Sequence, residues 1–386
     1  MGNSAQTLRR TNDRGAFEVL SRGEAERLPR DPSPRFRFQV PAHWRAPSGI
    51  NPHAGEAQQR VLAWLATLGC GAGEISWAAA FDIPGYVGLP FPALSRDETF
   101  RLARFLALWL LWDDVHVERL ENRWKLDAER VSSGRRPPGM TRFDEGWWQL
   151  LQEFARTRSA PWIASLCREM AAWSDAAAEE ARAFQRYEDT GETPGFEAQL
   201  ALRRATIGMT ATVVLLEGTY GAAMPPDFSA HPVVRRLVHL SNELVALGNE
   251  LLGLGKDLAG GQLNLVTTLM AEHGLPLEDA FEALVRRHDV AIAEYDALAL
   301  SIGLGEFQGE PLVQRWLRDV RYASLGFTLW EAQAPRYAAH KVVVRGRVIE
   351  PAFDFRGAGE AQDFSARRWA PAESAARLPL PSRGAG

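Results

Sequence analysis

AHPVVRRLVHLSNELVALGNELLGLGKD, residues 230–257, decides the class of the fold. Its apolar residues recur at three- and four-residue intervals, the period of an α-helix with one face turned to a core. Its last part, NELLGLGKD (249–257), keeps that rhythm but includes Gly253 and Gly255. A glycine inside a helix costs about 0.5–1 kcal/mol relative to alanine. The same stretch spaces Asn249, Gly253 and Asp257 four apart, so the three project from one helix face. A helix that keeps a polar stripe in an apolar region has something to hold with it. Gly255 points off the stripe, and nothing in the sequence accounts for it.

The same period extends outward in both directions. AGEAQQRVLAWLATLG (54–69), DETFRLARFLALWLLW (97–112) and LEDAFEALVRRHDVAIAEYDALAL (277–300) all read as helices. Proline- and glycine-rich breakers separate them at 84–92, 132–139 and 223–228. This predicts an all-α fold, one antiparallel helical domain over residues 38–340. Residues 1–37 are rich in Arg, Pro and Ser without sustained periodicity and are expected to be a disordered extension. Residues 341–386 are expected to be a tail: a short hairpin in KVVVRGRVIE (341–350) around Gly346, then disorder.

The chain has 386 residues, 46% hydrophobic and 24% charged, with a formal net charge of −4. That balance is ordinary for a globular protein and excludes a basic nucleic-acid binder. Two cysteines, Cys70 and Cys167, are too few for a disulfide scaffold and read as buried fillers in a reducing cytoplasm. The first residues, MGNSAQTLRR, lack the apolar core of a secretion signal, and FLALWLLW (105–112) is too short to span a membrane. The 13 tryptophans fill a large helical core.

Four segments carry chemistry. LLWDDVHVERLENRW (110–124) delivers Asp113 and Asp114 from an apolar helix, with Glu118 one turn beyond Asp114. Adjacent carboxylates there repel unless a cation compensates, and a few hard oxygen donors suit Mg²⁺. The plainer alternative is a helix emerging into solvent. In NELLGLGKD the Asn249 amide and Asp257 carboxylate flank a side-chain-free Gly253, with Lys256 beside them. In QLALRRATIGMTATVVLLEG (199–218) Arg203 and Arg204 interrupt an apolar run ahead of Gly208. A guanidinium fork there matches a diphosphate, and Gly208 marks a helix break. In WEAQAPRYAAH (330–340) Trp330 precedes Arg336 and Tyr337, both able to donate to a phosphate oxygen. Each of the last three also reads as ordinary packing or helix surface. Together they describe a metal–diphosphate site at the mouth of a helical bundle.

With these motifs in order, the chain resembles the bacterial class I terpene synthases over residues 38–340. FQVPAHWRAPSGINPHAGEAQQRVLAWLATLG is similar to the family's N-terminal segment and WDDVHVE to its aspartate-rich motif. NELLGLGKD is similar to its second metal motif, RRATIG to its diphosphate-sensing segment and WEAQAPRY to its C-terminal Arg-Tyr pair. The resemblance implies a helical bundle around an apolar cavity and three Mg²⁺ ions. Asp113, Asp114, Glu118, Asn249, Gly253 (through a water) and Asp257 would form the metal sites. Arg204, Asn249, Lys256, Arg336 and Tyr337 would bind the diphosphate, and the Gly208 carbonyl would face the reacting carbon. Trp109, Trp330, Phe81 and Trp77 are the candidate cavity aromatics, whose ring faces would stabilise cations. Gly253 stands where the family usually has serine, Ile207 where the sensor segment is often polar, and Glu118 lies one residue later than the aspartate of D-D-x-x-D.

The implied activity is Mg²⁺-dependent ionisation of a linear isoprenyl diphosphate and cyclisation of the cation to a terpene hydrocarbon or alcohol. Farnesyl diphosphate is the first expectation and geranylgeranyl diphosphate the second. No nucleic-acid or membrane partner is expected, and a homodimer is left open. A trans-prenyltransferase would carry a second aspartate-rich motif where NELLGLGKD stands. A non-catalytic helical binding protein would show no Mg²⁺-dependent turnover. No D-x-D-D motif for protonation-initiated cyclisation is present.

Overall fold

A computed structural model describes residues 8–12, 15–116 and 123–356. The helices are α1 (Arg22–Ala25), α2 (Ala54–Thr67), α3 (Ala72–Ala80), α4 (Ile83–Gly88) and α5 (Arg96–His116). α6 (Ala128–Ser133), α7 (Arg142–Ala155), α8 (Ala160–Thr190), α9 (Phe196–Thr206) and α10 (Met209–Gly218) follow. α11 (Pro232–Gly260), α12 (Leu265–His273), α13 (Leu277–Leu304), α14 (Pro311–Gln333) and α15 (Pro335–Ala338) complete them. None of the described helices is long and apolar enough to cross a membrane.

The opening stretch of sequence is α11. Pro232 starts it, where a missing N–H is harmless, and the His231 Nδ1 accepts from the Val233 N–H at 3.2 Å. Gly261 ends it in the left-handed region, φ 69°. α11 packs against α9, α10, α13 and α14, so its second half is buried on nearly every side. α5 is equally enclosed, with Leu102, Phe105, Leu106, Leu108 and Leu111 buried. These helices place the ends of α5, α9, α11 and α14 side by side. Thr141 and Asp144 form a reciprocal capping box at the start of α7, and Ser159 with Pro161 starts the long α8.

Gly255 is explained by a strand. β4 (His340–Val344) lies on α11, and a Cβ at Gly255 would stand 2.4 Å from the His340 carbonyl oxygen. The glycine therefore admits another backbone, not a ligand. β4 and β5 (Arg347–Ile349) pair antiparallel around Arg345 and Gly346. Both of those residues have positive φ, 50° and 73°, as a tight two-residue hairpin turn requires.

The N-terminal segment differs from the disordered extension expected for residues 1–37. β2 (Gly15–Ser21) pairs antiparallel with β4, from Phe17↔Val344 to Ser21↔His340. β1 (Leu8–Asn12) pairs with β2, and β3 (Arg37–Pro41) pairs parallel with β6 (Ala352–Arg356). Phe17, Val19, Phe36, Phe38 and Val40 are buried. Partners more than three hundred residues away supply the β2–β4 and β3–β6 ladders, so local periodicity could not reveal them. The disorder expected after the hairpin falls largely on residues 357–386, outside the described residues.

Candidate active site

Three separate segments meet at one point. Asp113 and Asp114 lie in the last two turns of α5, Asn249 and Asp257 on α11, and Arg336 and Tyr337 on α15. α15 exists because the chain breaks at Ala334–Pro335 after α14, and the Ala334 N–H closes that helix on the Trp330 carbonyl. Arg336 Nη1 donates to Asp114 Oδ2 at 3.3 Å. The Asn249 amide Nδ2 donates to the Tyr337 hydroxyl at 3.0 Å and to Glu331 Oε1 at 2.8 Å. Lys256 pairs with Asp257, and Asn264 Nδ2 donates to Asp257 Oδ2 at 2.9 Å. Gly253 is the gap in this row. Its nearest neighbours would be Asp257 Oδ2, 3.3 Å from an added Cβ, and the Lys256 stem and Tyr337 ring, both 3.7 Å.

The arginine at this point is Arg203, not the expected Arg204. Arg203 donates to Asn249 Oδ1 at 2.9 Å, Glu250 Oε1 at 2.6 Å, Glu180 Oε1 at 2.8 Å and the Thr206 hydroxyl at 3.1 Å. Arg204, one position on, turns about 100° round α9. It meets Glu243 at 3.2 Å and Glu197 at 3.7 Å, in a separate network with Arg287. In an adjacent pair the sequence does not show which member faces α11; the structure does.

Gly208 breaks α9 from α10 in the left-handed region, φ 83°. A Cβ there would stand 2.8 Å from the Trp109 ring, so the glycine lets Trp109 cover the break. Its carbonyl does not match the expected role. It accepts from the Thr212 N–H and the Thr212 hydroxyl, both at 3.0 Å, and so opens the hydrogen-bond ladder of α10. The Trp173 indole donates to the neighbouring Thr206 carbonyl at 2.7 Å and packs edge-on to Trp109.

A second aromatic group joins α4 to α14. Trp330 packs on Tyr86, ring centroids 4.5 Å apart, lies parallel to Phe81 at 6.4 Å, and donates to the Phe81 carbonyl. The Arg336 guanidinium lies 4.8 Å from the Phe81 ring centre, a cation–π contact. Trp77 packs on Phe81 from the outside and is only partly buried. Glu118 lies outside the described residues.

Electrostatics mark the same point. Burial pushes the Asp113 carboxyl up to about 8, with repulsion from Asp114 and Glu180 adding to it against Arg336 and Arg203. Burial likewise pushes Glu331 up to about 8. Burial would lower Arg203, but Glu180 and Glu250 outweigh it and hold the guanidinium charged. Carboxylates short of positive charge beside arginines held by acids describe a site made for both a cation and an anion.

The family model described as "Terpene synthase family 2, C-terminal metal binding" matches residues 104–294. The spiroviolene synthase of Streptomyces violens is 27% identical over 317 residues, 79% of this chain and 85% of that protein. The (+)-corvol ether B/(+)-corvol ether A synthase of Kitasatospora setae, named as (2E,6E)-farnesyl diphosphate cyclizing, is 24% identical over 79% of this chain and 95% of its own. The crystal structure of α-eudesmol synthase superposes with a TM-score of 0.64 at 18% identity, covering 76% of this chain and 98% of that one. The linalool/nerolidol synthase of Streptomyces clavuligerus also superposes at 0.64, over 77% and 100%. The chain belongs to the bacterial class I terpene synthases. It is an all-α enzyme of that family, a lyase, whose matched region is a metal-binding domain.

The side chains of this synthase fit a divalent cation. The donors at the junction are hard oxygens, as Mg²⁺ prefers. One of them, Glu331 Oε2, is buried with no hydrogen-bond partner, and Asp113 lacks full charge compensation. The sequence reading missed Arg203 as the site arginine, and missed Glu180 and Glu331. Glu331 stood inside a quoted motif, next to Trp330, and an acid between a tryptophan and an alanine in an apolar helix was the available signal. Glu180 sits in the acidic run of α8 and had none.

Proposed function

We propose that this synthase ionises a linear isoprenyl diphosphate, farnesyl diphosphate first among them, and cyclises the cation to a terpene hydrocarbon or alcohol. The observation that carries this is the junction of Asp114 with Arg336 and of Asn249 with Tyr337 and Arg203, which joins the acid-bearing helices to the basic donors. The relative from Kitasatospora setae, named for cyclising farnesyl diphosphate, supports the C15 substrate. Asp113 and Asp114 on one side, and Asn249 and Asp257 on the other, would hold Mg²⁺, with three ions in the family pattern. When bound, these ions neutralise charge on the departing diphosphate.

Arg203, Arg336, Lys256 and Tyr337 donate to the diphosphate oxygens; Arg203 takes the role that the family resemblance gave to Arg204. The C–O bond breaks with both electrons leaving on the diphosphate, and an allylic cation remains. Trp109, Phe81, Trp330 and Tyr86 offer ring faces to that cation and keep water from it. Loss of a proton gives an alkene, and addition of water gives an alcohol.

The test is incubation of the purified protein with C10, C15 and C20 prenyl diphosphates, with and without Mg²⁺, read by gas chromatography–mass spectrometry. A Mg²⁺-dependent terpene from the C15 substrate is expected. A longer prenyl diphosphate on addition of isopentenyl diphosphate, or no turnover of any substrate, overturns the reading.

A further inference from the structure

Resting on the metal site just proposed, we infer that Glu331 supplies the oxygen ligand that Gly253 leaves out. In the row Asn249–Gly253–Asp257 the middle position has no side chain, and what lies nearest to it is Asp257 Oδ2, the Lys256 stem and the Tyr337 ring. Glu331 comes from α14 to Asn249, one turn before Gly253 on the same face of α11. It is 3% exposed, and its Oε1 accepts from Asn249 Nδ2 at 2.8 Å. Its Oε2 has no partner. Burying a carboxyl oxygen with no donor is unfavourable, so a fold that keeps one at this position has another use for it.

The chemistry of the pair supports that use. An amide that gives its N–H to one oxygen of a carboxylate leaves its own carbonyl and the second carboxylate oxygen as acceptors. Acceptors gathered without donors attract a hard cation. Asn249 Oδ1 already accepts from Arg203, whereas Glu331 Oε2 accepts from no donor, although Arg203, Arg336 and Lys256 lie near enough to act on the carboxyl. Tyr337, the other partner of the Asn249 amide, belongs to the proposed diphosphate donors. Glu331 thus sits where the metal and diphosphate halves of the site meet, and with a cation bound it would offer a carboxylate oxygen where serine offers a hydroxyl.

The test counts bound ions rather than turnover. Mn²⁺ is titrated by electron paramagnetic resonance into the full chain with inorganic diphosphate, for the unmodified protein, Glu331→Gln, Gly253→Ser and the double variant. We expect Glu331→Gln to lose one tightly held Mn²⁺ or to weaken it at least tenfold, the scale seen when a ligand or its support is removed. We expect Gly253→Ser to restore that ion in the Glu331→Gln background, because an added Cβ meets nothing nearer than 3.3 Å. A melting temperature of metal-free Glu331→Gln at or above that of the unmodified chain is expected and shows that the loss is not unfolding. Unchanged Mn²⁺ number and affinity in Glu331→Gln overturn the assignment while leaving the synthase reading intact. No Mn²⁺ binding by the unmodified chain overturns both.

Discussion

Replacing Arg203 and Arg204 separately by methionine distinguishes the arginine in the site from its neighbour. Glu250 is 2% exposed and keeps only the Leu265 N–H, 2.7 Å from Oε2, when Arg203 is gone. Leaving a buried carboxylate without its cation destabilises by about 3–5 kcal/mol. Glu180 and the Asn249 carbonyl lose a donor as well. Arg204 sits in a looser arrangement, 3.2 Å from Glu243. Glu243 retains Arg287 at 2.6 Å after its removal, so Arg204→Met should lose about 1 kcal/mol. Urea unfolding of the metal-free proteins reads the difference. Arg203→Met should be the less stable by at least about 2 kcal/mol. The source of the loss is checked by Arg203→Met/Glu250→Leu, since replacing both members of a buried pair by apolar groups removes the stranded charge. Equal stabilities for the two single variants, or a double variant no more stable than Arg203→Met, refute the reasoning.

Two further outcomes follow from other parts of the fold. Gly255→Ala forces β4 away from α11, because the new Cβ would stand 2.4 Å from a backbone carbonyl; it should lose about 1–3 kcal/mol, whereas Gly253→Ala should be neutral or stabilising by up to about 1 kcal/mol, both measured by urea unfolding. Glu217, which accepts from the Trp316 indole at 2.9 Å, is pushed by burial up to about 7 from an ordinary 4.5. Its folded pKa is raised, so its contribution to stability is complete below 4.5 and is lost as pH rises through 7. Glu217→Gln should therefore become more stable than the unmodified chain between pH 5 and 8, by at most roughly 3 kcal/mol, seen as a crossing of the two pH–stability curves.

What the sequence disclosed depended on the range over which each interaction acts. Helix period and breakers are local, so α2, α5, α11 and α13 stood near their quoted boundaries, and the acid-bearing and Arg-Tyr motifs landed on the elements expected of them. The β2–β4 and β3–β6 ladders join the two ends of the chain, and pairing over that separation leaves no readable signal in local sequence. The choice between Arg203 and Arg204 turns on about 100° of helix rotation, which depends on how α9 packs against α11. Gly255 was opaque for the same reason. Its neighbour is the backbone of His340, and no local rule brings that backbone there.

The site also has a charge logic that bears on how it binds its ligands. Two of the acidic groups assigned to metal are met by a cation of the chain: Asp114 by Arg336, Asp257 by Lys256. Among the described residues no three His, Cys, Asp or Glu side chains converge to hold an ion. Metal alone would have to pull a carboxylate from its arginine or lysine and leave that cation unpaired. Diphosphate alone would have to pull the cations away and leave the carboxylates facing one another. Both together exchange partners, carboxylates to metal and cations to diphosphate, with no charge stranded. The two ligands should therefore favour each other, and by linkage to the same extent in either order. Calorimetric titration should show Mg²⁺ binding at least about tenfold tighter with inorganic diphosphate present, within the range of about 5–150-fold usual for coupled sites. Arg336→Gln should shrink that ratio, because Asp114 would then be open to metal before diphosphate arrives. Some coupling comes from direct contact between the ions and the diphosphate, and that part should survive the substitution. A ratio identical in Arg336→Gln and the unmodified chain would mean that direct contact accounts for all of it, and the exchange of partners would be wrong.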